Sequence, residues 1–283
     1  MKTILTITIL VLACPGLFSQ GVRSCCAMSS SRPTEAFAQL GSDESFRMSH
    51  AEPLPFVLAT EKGTWVKFTT PDKKEGRAYE VSPKKKTNAV IFVIHEWWGL
   101  NDYVRQEAEN LQKELEEVTV LALDLYDEKV ATTREEAAKY MGEVKEDRAR
   151  AIIKGALDYV GPKAHVGTIG WCFGGGWSLQ ASLIAEKQGK ACVIYYGMPE
   201  SDVNRLKSLE APVLGIFAKQ DGWITPKVVE EFERNMKAAQ KELTVRWYDG
   251  DHAFANPSNP KYDQKATEDA WSHVTDFFKT QLK

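Results

Sequence analysis

Hydrophobic positions along this chain come in short continuous runs that alternate with longer stretches of helical spacing. From about residue 53 onward, "TWVKFTT" and "RAYEV" read as two early strands bridged by the turn-forming "PDKKEG". "NAVIFVIHE" and "VTVLALDLY" are apolar almost throughout, as expected of strands covered on both faces. "HVGTIGWC", "ACVIYYG", "APVLGIFAKQD" and "LTVRWYDG" continue the strand series. Between them, Val104, Leu111 and Leu115 recur at helical spacing from Asp102 to Glu116. Residues Thr132 to Tyr159 read as helix in two pieces, with Thr132 or Thr133 as N-cap and Glu135 and Glu136 in the first turn. Further helices are expected over "GWSLQASLIAEK", over "TPKVVEEFERNMKAAQ" with Pro226 in its first turn, and over "DQKATEDAWSHVTDFFKTQL". Such alternation predicts an α/β fold, a mostly parallel sheet with helices on both faces, in one domain spanning 53–283.

The N-terminal fifth has a different texture. "MKTILTITILVLACPGLFSQ" sets one lysine before an apolar run from Ile4 to Ala13, and Pro15-Gly16 follow. This is the profile of a signal peptide over 1–20, with a run too short to span a bilayer as a stable helix. Cleavage near Ser19 or Gln20 releases a soluble chain; read instead as a lipoprotein signal, "VLAC" makes Cys14 a lipidated membrane tether. Either way the chain is expected to be exported, periplasmic or secreted. Residues 21–52 are polar, punctuated by Ser and Pro, and read as a flexible linker with one short helix near Thr34 to Leu40.

Composition narrows the function. With 43% hydrophobic and 27% charged residues, 283 positions support a large core without disulfides or metals. A net charge of −3 argues against a nucleic-acid surface. The run Lys84-Lys85-Lys86 reads as a solvated turn before a strand. Five cysteines, two of them the adjacent Cys25-Cys26, are not a disulfide framework. Cys192 lies in a buried strand and reads as packing.

Cys172 is different. In "IGWCFGGGWS" it ends a strand just before a helix, flanked by Gly170, Gly174 and Gly175. Gly-x-Cys-x-Gly at a sharp strand-to-helix bend is a nucleophile elbow with sulfur in place of the serine oxygen. The helix N-terminus behind it is expected to lower the thiol pKa. An elbow nucleophile needs an acid and then a histidine later in the chain. Asp221 follows the strand "APVLGIFAK" and His252 follows the last strand, so both fall at the same sheet edge as Cys172. Of the other histidines, His50 lies in the tail, His165 at the far end of the elbow strand, His273 on the closing helix, and His95 before Glu96. Asp249 and Asp251 are rivals to Asp221, but neighbours in one tight loop rarely point at the ring beside them.

Together, "HEWWGLNDYVR", "GTIGWCFGGG", "YYG", "KQDGWITP" and "YDGDHAFANPSNPKYDQKATEDAWSHVTDFF" resemble the dienelactone hydrolase family, the Cys-His-Asp branch of the α/β-hydrolase fold, from about residue 75 to the end. The resemblance implies hydrolysis of a small ester or lactone through a thioester, without cofactor or metal. Cys172 is the implied nucleophile, His252 the base and then acid, and Asp221 its orienter. Glu96 would sit beside the thiol and control its protonation. The backbone N–H groups of Trp97 and Phe173 would form the oxyanion hole, which agrees with the geometry of an elbow.

One position departs from the family pattern. Asn256 stands where an arginine that holds a substrate carboxylate is expected, and an amide offers no charged bidentate fork. Trp97, Trp98, Trp171, Trp177, Tyr195, Tyr196 and Trp223 cluster around the expected mouth; Trp171 and Trp177 read as core, and Trp98, Tyr195, Trp223 and Asn256 as lining the substrate pocket. Two other readings stand beside the monomeric hydrolase. One is a non-catalytic binding protein of the same fold. The other is metal handling in the tail through Cys25, Cys26, Met28 and His50.

Overall fold

The computed structural model describes residues 32–283. The expected signal peptide, Cys14, Cys25, Cys26 and Met28 lie outside the described residues. Two short helices open the described chain, α1 (Pro33–Gln39) and α2 (Glu44–Ser49). Strands β1 (Thr64–Thr69), β2 (Glu75–Val81) and β3 (Ala89–Ile94) follow, then α3 (Asp102–Leu115) and β4 (Thr119–Leu123). Helices α4 (Arg134–Glu143) and α5 (Glu146–Val160) precede β5 (His165–Trp171), α6 (Phe173–Ala185) and β6 (Gly189–Tyr195). The chain closes with α7 (Val203–Leu206), β7 (Val213–Ala218), α8 (Pro226–Ala238), β8 (Leu243–Tyr248) and α9 (Gln264–Gln281).

The strands form one eight-stranded sheet in the order β1-β2-β4-β3-β5-β6-β7-β8. β1 and β2 are antiparallel additions at one edge; from β4 through β8 every neighbouring pair is parallel. The parallel strands need both faces covered, and two helix layers do this, with α3 packed on α9 and α5 on α6. β3, β5, β6 and β7 are accordingly almost wholly buried. All the β-to-α turns of the parallel region lie at one edge of the sheet, where open α/β sheets place their chemistry.

In the described part of 21–52 the helix expected near Thr34 to Leu40 is present as α1, α2 adds a second, and both pack on the body. Pro33 starts α1 at its first turn, and the Asp43 carboxylate caps α2 by accepting from the N–H groups of Ser45 and Phe46. The segment is held by apolar burial: Phe37 and Phe46 are both buried, each worth about 1.5–3 kcal/mol of transfer free energy. α1 rests on α4 and α6. The Arg134 guanidinium donates to the backbone carbonyl of His50 at 2.6 Å and fixes the end of the segment.

Candidate active site

Cys172 sits between β5 and α6 with φ +57° and ψ −118°, a conformation that a non-glycine residue adopts only under constraint. The constraint is close packing. A Cβ on Gly170 would lie 2.1 Å from the Gly174 carbonyl oxygen, and one on Gly174 would lie 2.2 Å from the carbonyl oxygen of Ile94 at the end of β3. Only glycine lets α6 start this near β3. For the same reason α6 begins at Phe173, earlier than the glycine run suggested. Helix-breaking propensity yields here to tertiary packing.

Around this elbow the structure brings Cys172, His252 and Asp221 together. His252 Nε2 lies 3.3 Å from Cys172 Sγ, and its Nδ1 donates to Asp221 Oδ2 at 2.6 Å. The other oxygen of Asp221 accepts from the N–H groups of Trp223 and Ile224, both at 2.9 Å, which aims the carboxylate. Asp249 accepts from the Gln220 side chain and Asp251 pairs with Lys261, so neither rival faces the ring. Burial alone would lower the imidazole of His252. The charge of Asp221, with the Cys172 sulfur and both hydrogen bonds, outweighs it and holds the ring well above its ordinary pKa. The remaining body histidines are placed as expected. His165 is exposed, and His273 stands 3.6 Å from Asp269 on α9. His95 is a satisfied core residue: it donates from Nδ1 to the Glu96 carbonyl at 2.7 Å and accepts from Leu125 N–H at 3.1 Å.

Glu96 follows β3. Its Oε2 is buried without a hydrogen-bond partner. Burial pushes its pKa up to about 7, with the nearby His252 charge and the Asn256 amide pulling the other way. Asn256 is itself buried, and its Oδ1 accepts from Ser258 N–H at 2.8 Å and Oγ at 2.7 Å. A cavity of about 80 Å³ lies between them, lined by Glu96, Glu107, Trp171, Tyr195 and Asn256 among others. No lysine or arginine lines it. Tyr195 stacks on Trp171 with ring centroids 5.4 Å apart, and Trp98 packs 4.9 Å from Trp97. The backbone N–H of Phe173 reaches the Cys172 sulfur, and Trp97 is fully buried just beyond β3.

Two features were not foreseen. Cys172 has no solvent exposure, because the N-terminal helices close over it. Phe46 stands edge-on to Trp97 at 5.5 Å and to Trp223 at 5.3 Å, and lies 6.1 Å from the His252 ring. His50, placed in a tail by its sequence context, ends this segment with Nε2 3.9 Å from Cys172 Sγ. Its Nδ1 faces the Phe46 carbonyl at 2.7 Å, and burial lowers its pKa to about 3, so the ring is neutral. The second feature concerns the thiol. Burial pushes the Cys172 pKa up, against the pull of His252, where the helix N-terminus alone was expected to lower it. The signals for the closing segment, Pro33 and Asp43 as helix starts with Phe37 and Phe46 behind them, indicate two helices but not what they cover.

Comparison with known proteins places this geometry. Residues 77–282 match the dienelactone hydrolase family. Protein usf of Aquifex pyrophilus is 31% identical over 218 residues, covering 73% of this chain and 94% of its own length. A carboxymethylenebutenolidase of a Pseudomonas species is 29% identical over 115 residues, 40% of this chain and 47% of its own. Among solved structures, a dienelactone hydrolase-like promiscuous phosphotriesterase from metagenomic libraries superposes with a TM-score of 0.66 at 20% identity, over 78% of this chain and 100% of the other. The chain belongs to the dienelactone hydrolase family and is a hydrolase of esters or lactones.

Proposed function

We propose that this hydrolase is cysteine-dependent and cleaves a small, uncharged ester or lactone through a thioester on Cys172. The observation that carries the reading is the relay of sulfur, imidazole and carboxylate, 3.3 Å and 2.6 Å long, built on a strained elbow. In the first half-reaction the thiol proton passes to His252 and the thiolate attacks the carbonyl carbon. An S–C bond forms, the ester C–O bond breaks, and the departing oxygen takes the proton from His252. In a lactone that oxygen stays attached to the acyl chain. In the second, His252 takes a proton from water, hydroxide attacks the thioester, the S–C bond breaks, and the proton returns to the sulfur. Asp221 holds the tautomer and offsets the charge on the imidazolium. The Trp97 and Phe173 backbone N–H groups receive the developing oxyanion. Glu96, poised near neutrality, sets by its own charge how readily the thiol ionises.

The substrate preference follows from the cavity beside Asn256. A substrate carboxylate there would meet Glu96 and Glu107 and no cation, so a neutral acyl or alkoxy group fits best. Trp171 and Tyr195 give the cavity an aromatic wall; Trp98 and Trp223, expected to line the pocket, stand outside it, against Trp97 and Phe46 respectively. In this reading the 33–50 segment moves aside for turnover, since Cys172 is wholly buried with His50 and Phe46 packed at the triad. Its displacement also removes the burial that holds the thiol protonated, leaving His252 to draw the proton off. On the pattern of residues 1–20 the enzyme works outside the cytoplasm, free or tethered at Cys14. N-terminal sequencing of the mature protein tests this.

A panel of p-nitrophenyl esters and small lactones, assayed on wild type, Cys172→Ala and Cys172→Ser, tests the mechanism. Expected is hydrolysis by wild type and loss of about 1,000-fold or more in both variants. Activity surviving in Cys172→Ala would refute it.

A further inference from the structure

Among the described residues, one group of side chains has the make-up and spacing of a metal-ion site: His50 Nε2, Cys172 Sγ and His252 Nε2 all lie within 4.8 Å of one another. We propose that they form a three-ligand site for a borderline-soft divalent ion, zinc foremost, that clamps the N-terminal helices over the thiol. His50 belongs to those helices, and Cys172 and His252 belong to the body. An ion bound to all three would therefore tie the two regions together.

The geometry supports this in two ways. Tetrahedral zinc, with one bond of about 2.3 Å to sulfur and two of about 2.0–2.1 Å to nitrogen, sets S···N separations near 3.6 Å. The observed separations, 3.3 Å to His252 and 3.9 Å to His50, bracket that value; the two Nε2 atoms, within 4.8 Å of each other, must close to about 3.3 Å by rotation of the rings to complete the site. Second, both imidazoles are oriented as metal-bound histidines are. A histidine that ligates through one nitrogen characteristically donates the other N–H to a carboxylate or a backbone carbonyl. His252 donates from Nδ1 to Asp221 at 2.6 Å, and His50 donates from Nδ1 to the Phe46 carbonyl at 2.7 Å. Each therefore presents Nε2 to the sulfur. Imidazole and thiolate are the donors that zinc prefers over carboxylate and water. Three protein ligands leave the fourth tetrahedral position open.

Binding forms one S–metal and two N–metal bonds and releases the single proton that the thiol and the His252 imidazole share; nothing is oxidised or reduced. The binding itself rests on geometry alone. Its consequence, a hydrolase switched off by the ion, rests on the role proposed above for Cys172.

Titration of the full chain with cobalt(II), zinc's spectroscopic substitute, tests the site. Expected is one equivalent bound with a near-ultraviolet thiolate-to-cobalt band, lost on addition of zinc, and zinc that shields Cys172 from iodoacetamide as read by mass spectrometry. His50→Ala and His50→Gln each lower zinc affinity by more than about 100-fold, beyond the 10–100-fold cost of losing an outer partner. Cys172→Ala removes the band, and the double variant Cys25→Ser/Cys26→Ser keeps it. No thiolate band, unchanged affinity in both His50 variants, or a band lost only with Cys25 and Cys26 would overturn the site. None of these readouts depends on turnover. If Cys172 is not the nucleophile, Cys172→Ala still hydrolyses esters yet loses the cobalt band. If only the metal site fails, the ester panel is unaffected.

Discussion

The sheet body and the N-terminal helices each bring an imidazole to the same sulfur, and they hold it differently. His252 hangs from the loop after β8, backed by the buried carboxylate of Asp221, and its pKa is held well above the ordinary value. His50 ends the turn after α2, backed by a neutral carbonyl inside a cage of Phe46, Trp97 and Trp223, and its pKa falls to about 3. The first lies within the family match and the second outside it. What sits behind the ring decides what the ring can do. Backed by a charge, it is held ready to carry a proton, as the proposed mechanism needs; backed by a dipole among aromatics, it stays neutral.

The sharpest way to break this contrast is to take the charge from behind His252. Asp221→Asn makes its surroundings resemble those of His50, and kcat for p-nitrophenyl acetate should fall about 10,000-fold, as loss of the orienting carboxylate does in serine triads. A loss under tenfold would mean the backing group matters little. Next is the segment that ends at His50. Phe46→Ala should weaken docking of the helices by about 3 kcal/mol, the low end for a buried phenylalanine, and raise the open population roughly 100-fold. Iodoacetamide should then label Cys172 correspondingly faster, and an unchanged rate would show that the helices do not gate the thiol.

The body carries a comparable electrostatic cost in Glu107. Burial raises its pKa from 4.5 to about 7, against the pull of Asn110. Because the folded value lies above the unfolded one, the protonated form is the one the fold favours. The penalty is absent below about pH 4.5, grows between there and about 7, and is constant above. Glu107→Gln should leave stability at pH 4 unchanged and raise it at pH 8 by up to about 3 kcal/mol, less what solvent screens at this half-buried position. Denaturant melts at the two pH values read the difference. A gain of the same size at both would remove the electrostatic explanation. Smallest is Asn256→Arg, which should shift kcat/KM toward carboxylate-bearing esters by about tenfold by placing a cation beside Glu96 and Glu107. No shift would locate specificity elsewhere.

How legible these regions were in the sequence follows the same division. Strands such as "NAVIFVIHE" are apolar throughout because a parallel sheet is covered twice, so their runs stand out. The elbow was legible because the bend tolerates no Cβ at Gly170 or Gly174, and because Asp221 and His252 follow in order on strands whose ends share an edge. The closing helices were legible only in part: the short helix expected near Thr34 to Leu40 is α1, but α2 is too short for periodicity to show, and the polar, Ser-rich surroundings read as a linker. The contact of His50 with Cys172 joins residues 122 apart in sequence, with no local pattern to announce it. The direction of the thiol's pKa shift was missed for the same reason. A helix N-terminus can be read locally, but the burial that overrides it depends on residues remote in sequence, His50 among them.

The central claim is a cysteine nucleophile closed over by a movable segment, and one measurement addresses both halves. Protein quenched during p-nitrophenyl acetate turnover, as the full chain and as a chain lacking residues 1–51, should carry an acetyl group on the peptide containing Cys172. The adduct should form at least about tenfold faster without the helices, from the removal of a barrier of 1.4 kcal/mol or more. Continued turnover with no acetyl group at Cys172, or equal rates of acetylation in the two chains, would contradict the account.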